Sequence, residues 1–246
     1  MIVSRVALWY ATSYTIVILV HEAAHGLAAR AVGLHATLFH FWVDIDRDNA
    51  VWQRATFGSA GPVSSLAVGV ASWLVYRHTR RAATAVPWLF LAACGVSNFF
   101  GNLMSTAFVG DFSNVAVWLD VPMPIRYGVS ACGGIGVACV LFAAGRELRQ
   151  WLPESHSRTM AATIGILLPV ALGTALIILV NQPVPIPGFA AARAGEAAMW
   201  IFAAAGVASA TPTVADARWT LQLSDGLAAL VVVAVVRLLV SGVPLP

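Results

Sequence analysis

The chain has 246 residues, 59% hydrophobic and only 10% charged, with a formal net charge of +3 and a mean hydropathy of +0.81. A soluble domain carries about 25% charged residues, so the composition excludes a large soluble domain and predicts an all-α polytopic membrane protein in a lipid bilayer. All fourteen basic residues are Arg and they form no cluster, which excludes nucleic acid as a partner.

Segment 1 is an apolar run from about Val6 to Val32, ended by Gly33. It covers about 40 Å as a helix, enough to span a bilayer. Within it lies His21-Glu22-Ala23-Ala24-His25. Residues i and i+4 of a helix lie on one face, so both imidazoles can hold corners of a tetrahedral zinc. Glu22, beside the first ligand, can serve a metal-activated water as general base. Three ionisable groups in five residues of a membrane segment are costly and need a common reason, which a metal supplies.

Residues 34–57 predict a β-hairpin at the membrane interface. Aromatic and β-branched residues at 38–45 form one strand, Asp46-Arg47-Asp48-Asn49 the turn, and 51–57 the return strand. Such an edge can pair with an extended substrate. Segment 2 runs from about Gly58 to Tyr76 and opens with Gly58-Ser59-Ala60-Gly61-Pro62, with Pro62 in its first turn. Segment 3, about Val86 to Val109, carries Asn98 and Asn102 on one face and leads through Ser105 and Thr106 to Gly110-Asp111. Residues 112–126 predict a loop. Segment 4 covers Tyr127 to about Gly145, and segment 5 covers Met160 to Val180 with a kink at Pro169.

Pro183, Pro185 and Pro187 predict a stiff linker. Residues 189–210 are too short in apolar core to span alone and predict a re-entrant or interfacial piece, with a full span as the alternative. Segment 6 covers about Leu221 to Val240, giving about six transmembrane helices in all. Cys94, Cys132 and Cys139 lie in apolar segments and fit neither a disulfide framework nor a cysteine zinc site.

A catalytic zinc takes three protein ligands and leaves one position open. His35, His40, His78 and His156 fall in or beside loops and read as solvated or interfacial. Asp111 and Asp225 are the better candidates. Segments 1 and 3 run the same way, which puts Asp111 at the depth of the histidines. Segment 6 would run the opposite way with six spans, which puts Asp225 there too. The polar run of Asn98, Asn102, Ser105 and Thr106 favours Asp111.

The His21–His25 motif in a membrane helix, the interfacial β stretch, Ala60-Gly61-Pro62, and an Asn-bearing helix ending at Asp111 together resemble the site-2 (M50) intramembrane zinc metalloproteases. The resemblance covers residues 1 to about 120. It implies zinc on His21, His25 and Asp111, Glu22 as general base, and Asn102 as the group that helps position the substrate carbonyl, with Asn98 as its rival. It divides the chain into a three-helix catalytic core over 1–120, with the hairpin at 34–57, and accessory transmembrane helices over 121–246. The expected activity is hydrolysis of peptide bonds in a transmembrane protein substrate, within a multi-pass protein of a prokaryotic cell membrane. A zinc hydrolase of lipid-like substrates and a non-enzymatic scaffold are the competing expectations.

Overall fold

In the computed structural model, residues 2–45, 49–79, 82–154, 156–182, 184, 187–211 and 223–245 are described. The expected turn at Asp46–Asp48, Arg80 and Arg81, Pro183, Pro185 and the start of segment 6 at Leu221 lie outside them. The described chain is mostly helical. In order it forms α1 (Ile2–Ala31), β1 (Ala36–Leu38), β2 (Val43–Ile45), α2 (Val51–His78), α3 (Ala82–Met104), α4 (Asp111–Trp118) and α5 (Met123–Arg149). It continues with α6 (Arg158–Ala162), a π-helical turn (Thr163–Leu167), α7 (Leu168–Val180), α8 (Phe189–Ala198), α9 (Ile201–Ser209), α10 (Leu223–Leu239) and β3 (Val243–Leu245).

Among the described residues five helical stretches are long and apolar enough to cross a membrane: α1, α2, α3, α5 and the continuous Arg158–Val180 piece. Leu, Val and Ile side chains on their outward faces are exposed, as at Leu74, Ile135 and Leu176, which suits a hydrocarbon surrounding. The π turn in Arg158–Val180 sits where Pro169 lacks an N–H and its ring crowds the carbonyl of the preceding turn.

The α1 helix is the hub. Its buried positions, among them Val6, Tyr10, Tyr14, Val17 and Ile18, pack against Leu89, Phe90, Val170 and Trp200. The α2 helix runs antiparallel to α1, since Phe57 meets His25 and Ser65 meets His21, and α3 runs parallel to it, since Phe90 meets Tyr10 and Asn98 meets His21. The expected return strand at 51–57 is instead the first two turns of α2. Ala50 N–H donates to Gln53 Oε1 at 2.9 Å, and Gln53 Nε2 donates to the Val32 carbonyl at 2.8 Å. That side chain caps a helix start and ties it to the end of α1, which a strand could not do. Pro62 consequently lies well inside α2, not in its first turn.

The hairpin is therefore shorter than expected and closes at Phe39–Trp42, where Phe39 N–H donates to the Trp42 carbonyl at 2.9 Å. Its register pairs Leu38 with Val43 and Ala36 with Ile45. A third strand, β3, pairs with the other edge of β1, giving the order β2-β1-β3. Pairs alternate between hydrogen-bonded and open in an antiparallel ladder. The N–H groups of Val43 and Ile45 therefore point away from β1, and Pro244, opposite Thr37, sits where its missing N–H costs the ladder nothing.

The expected loop over 112–126 begins with the helix α4, and only about its second half is irregular before α5 starts. Residues 189–209 form two short helices with a break at Met199–Trp200. They descend from Phe41, which Phe189 meets edge-on, to the C-terminal part of α5, where Gly206 lies against Phe142.

The parity argument for Asp225 is overturned. Arg5 Nε contacts Asp225 Oδ2 at 2.9 Å, Trp9 Nε1 donates to Asp225 Oδ1 at 3.1 Å, and both charged side chains are buried. Asp225 thus lies at the start of α1, about 24 Å from His21 at about 1.5 Å per residue. The strand that follows α10 pairs beside the end of α1, so α10 runs the same way as α1, not against it.

Breaking a buried ion pair leaves an uncompensated charge. Asp225→Asn is expected to cost about 3–5 kcal/mol of stability, read as a lowered Tm in detergent, with metal binding at His21 and His25 unchanged. Loss of metal at unaltered Tm would contradict this placement.

Candidate metal centre

Two turns of α1 present His21 and His25 on one face, with ring centroids 4.8 Å apart. Each ring is fixed through its Nδ1. His25 Nδ1 lies 2.6 Å from the Phe57 carbonyl, which only accepts, so Nδ1–H donates there. His21 Nδ1 lies 3.1 Å from Asn98 Oδ1 and 3.1 Å from Ser65 Oγ. Ser65 spends its own hydrogen on the Gly61 carbonyl at 3.2 Å, so its oxygen is free to accept. Both neutral rings therefore carry the proton on Nδ1 and turn a bare Nε2 inward.

Asp111 completes the group. It is the first residue of α4, after Gly110 at φ 113, a left-handed backbone that favours glycine. A Cβ at Gly110 would also press on Ser105 Oγ at 3.0 Å. The helix is braced from two sides: Arg126 donates to Ser113 Oγ at 3.1 Å and to the Thr106 carbonyl at 3.2 Å, and the Arg54 guanidinium lies 5.6 Å from the Trp118 ring centroid. The N-terminal end of a helix favours a carboxylate.

His21 Nε2 lies 3.1 Å from His25 Nε2 and 2.9 Å from Asp111 Oδ2, and His25 Nε2 lies 3.5 Å from that oxygen. With both rings neutral, no proton sits among these three atoms, and their lone pairs repel unless a cation lies between them. Ligands about 2.05 Å from a tetrahedral ion are about 3.3 Å apart, and the observed separations bracket that value. The donor set of two imidazoles and one carboxylate fits a divalent ion.

Glu22 and Asn102 line the same cavity of about 500 Å³ as His21 and Asp111. Asn98 and Asn102 have divided the polar face of α3 between them. Asn98 is engaged by His21, while Asn102 Nδ2 donates back to the Asn98 carbonyl at 3.1 Å. The four other histidines take no part. His35 and His78 are exposed. His40, expected to be solvated or interfacial, is instead buried, with Nε2 3.0 Å from the Asn181 carbonyl, because it tucks under the hairpin turn against the end of α7.

Two contributors escaped the sequence. Phe57 acts through its backbone carbonyl, which no side-chain motif reveals, and Ser65 is one serine among many. Gly61 carried a visible signal, a small residue before Pro62, but its task is specific. A Cβ there would fall on Nε2 of both His21 and His25. Compared with protein-family models, with curated proteins and with solved structures, the chain matches none.

Gly61→Ala should therefore push the imidazoles apart and weaken metal binding by about tenfold or more, measured by metal titration of the purified protein. Gly101→Ala, where a Cβ meets nothing within 4 Å, serves as the control. Equal metal affinity in both variants would mean that Gly61 plays no part in the site.

Proposed function

We propose that the chain is an intramembrane zinc metalloprotease that hydrolyses peptide bonds of membrane-embedded protein substrates. The observation that carries this reading is the convergence of His21 Nε2, His25 Nε2 and Asp111 Oδ2, three acceptors without a proton between them, beside a carboxylate at Glu22 in the same cavity. Zinc suits two imidazoles and a carboxylate, and when bound it supplies Lewis acidity and makes water a nucleophile near neutral pH.

The residues then divide the work. Phe57, Ser65 and Asn98 hold the ligand rings in one tautomer and orientation. Glu22 takes the proton from the attacking water and returns it to the leaving amine. The Asn102 amide faces the cavity, where an N–H donor steadies a developing oxyanion. A substrate helix hides its carbonyls in its own hydrogen bonds and must become extended to be cut. The β2 strand offers the edge for it. Its outward N–H groups at Val43 and Ile45 are free of the ladder, and Phe41, two residues earlier, lines the cavity. The edge of β3 is blunted by Pro244.

We also read α8–α9 as one broken crossing of the membrane and α10 as another. These join the five long helices and give seven crossings where six were expected. Only a descending α8–α9 lets α10 run parallel to α1.

Cleavage of a labelled single-span protein by the purified enzyme tests the activity. Glu22→Gln should keep its zinc and lose at least about a hundredfold in rate, while Asp111→Asn should lose both zinc and activity. A Glu22→Gln protein that turned over normally, or cleavage of lipid esters in place of protein, would reject the proposal. Val43→Pro leaves the β1 ladder intact but removes an outward donor. It is expected to slow cleavage of a helical substrate about tenfold with zinc content unchanged, and unaltered cleavage would remove β2 from the mechanism.

A further inference from the structure

The cavity that holds Glu22 does not end at the metal ligands. It runs along α1 past Tyr14 to a second polar cluster on α8, formed by Arg193 and Glu196. Tyr14 Oη donates to Glu196 Oε2 at 2.6 Å, and Arg193 Nη2 meets Glu196 Oε1 at 2.7 Å. The guanidinium lies over the rings of Tyr14, Phe41 and Phe189, 5.4, 5.8 and 5.5 Å from their centroids.

The hydrogen-bond inventory of this cluster does not close. A guanidinium has five N–H groups, and one of Arg193's is used here, while its Nε is buried without a partner. A carboxylate offers about four lone-pair directions, of which Glu196 uses two, and its side chain is 47% exposed where it lines the cavity. Fastening α8 to α1 accounts for the Tyr14–Glu196 bond but leaves these donors and acceptors unspent. Polar groups at such a depth are expensive unless something satisfies them.

The chemistry of the missing partner follows from the charge balance. The pair is neutral overall, so a lone cation would meet Arg193 and a lone anion would meet Glu196. A neutral group with an acceptor and a donor on neighbouring atoms meets neither penalty, and in a peptide the amide is the commonest such group. Tyr14 lies seven residues before His21, about 10 Å along α1, a distance an extended peptide covers in about three residues at about 3.3 Å each.

We propose that Tyr14, Arg193 and Glu196 form an amide-binding subsite that holds an amide of the substrate about three residues from the bond to be cut, its carbonyl on the guanidinium and its N–H on the carboxylate. The identity of the ligand as a peptide rests on the protease reading. The amide can come from an Asn or Gln side chain or from the backbone of the unwound segment.

The test measures binding without turnover. Zinc-loaded full-length Glu22→Gln protein in detergent is titrated with fluorescent apolar peptides of one length. They carry Gln, norleucine or Glu at a single position walked along the peptide, or an N-methylated backbone at that position. A side-chain amide is held if Gln binds at least tenfold tighter than norleucine or Glu at one position. A backbone amide is held if N-methylation there weakens binding at least tenfold. In either case Arg193→Met should erase the preference while the norleucine peptide binds as before. Differences under twofold throughout the series would overturn the subsite, as would an Arg193→Met protein that weakens every peptide equally. If Arg193→Met fails to fold, the peptide series on the intact cluster decides alone. Selective binding combined with no cleavage by the wild type would reject the protease and leave the subsite standing.

Discussion

Three hydrogen-bond acceptors facing one another inside an apolar bundle set the terms for everything around them. Two come from a single face of α1, and the third arrives on α4, ninety residues after His21 in sequence. Holding them together requires each ring to be turned by its far nitrogen, and the partners for that task come from other elements: a carbonyl at the start of α2, a serine further along it, and an asparagine on α3. The helix that supplies most of these must also come close, which it does at Gly61. Helix spacing in this half of the molecule is thus dictated by imidazole geometry as much as by the packing of apolar side chains.

Polar groups elsewhere in the bundle follow the same economy of mutual satisfaction. Arg5 and Asp225 neutralise each other at the opposite end of α1. Tyr76, Glu147 and Gln150 close a small network where α2 and α5 end. Charged residues are few, and those buried deeply have partners, as an environment poor in water demands. The cavity between α1 and α8 is where a charged side chain with an unpartnered nitrogen, Arg193, faces open space.

Much of this was legible in the sequence. Membrane class, the long helices and the grouping of His21, His25 and Asp111 follow from hydropathy, helical spacing and the run of small polar residues before Gly110. The errors have physical causes. Residues 51–57 include the β-branched and aromatic types a strand favours, Val51, Trp52, Thr56 and Phe57, yet Gln53 reaches both Ala50 and Val32 and starts a helix. Residues 112–118 are short and weakly patterned, so their helix was invisible. Asp225 failed because direction was inferred by counting spans, and a broken helix pair at 189–209 defeats such a count. The third strand could not be foreseen at all, since Val243–Leu245 finds its partner some two hundred residues earlier.

That third strand has a mechanical corollary. It fastens the far end of α10 beside the end of α1, while Arg5 and Asp225 fasten its near end beside the start. A rod pinned at both ends can bow but cannot swing, so α10 acts as a fixed stave along the hub helix. The α8 helix has a different mounting. It spans ten residues between Gly188, at φ 76, and the break at Met199–Trp200, and the Tyr14 phenol, the ring-boxed Arg193 guanidinium and the Phe189 ring against Phe41 hold it over the cavity. With a glycine turn at one end and a helix break at the other, α8 is tied to the hub by side chains alone, where α10 is tied by an ion pair and a strand.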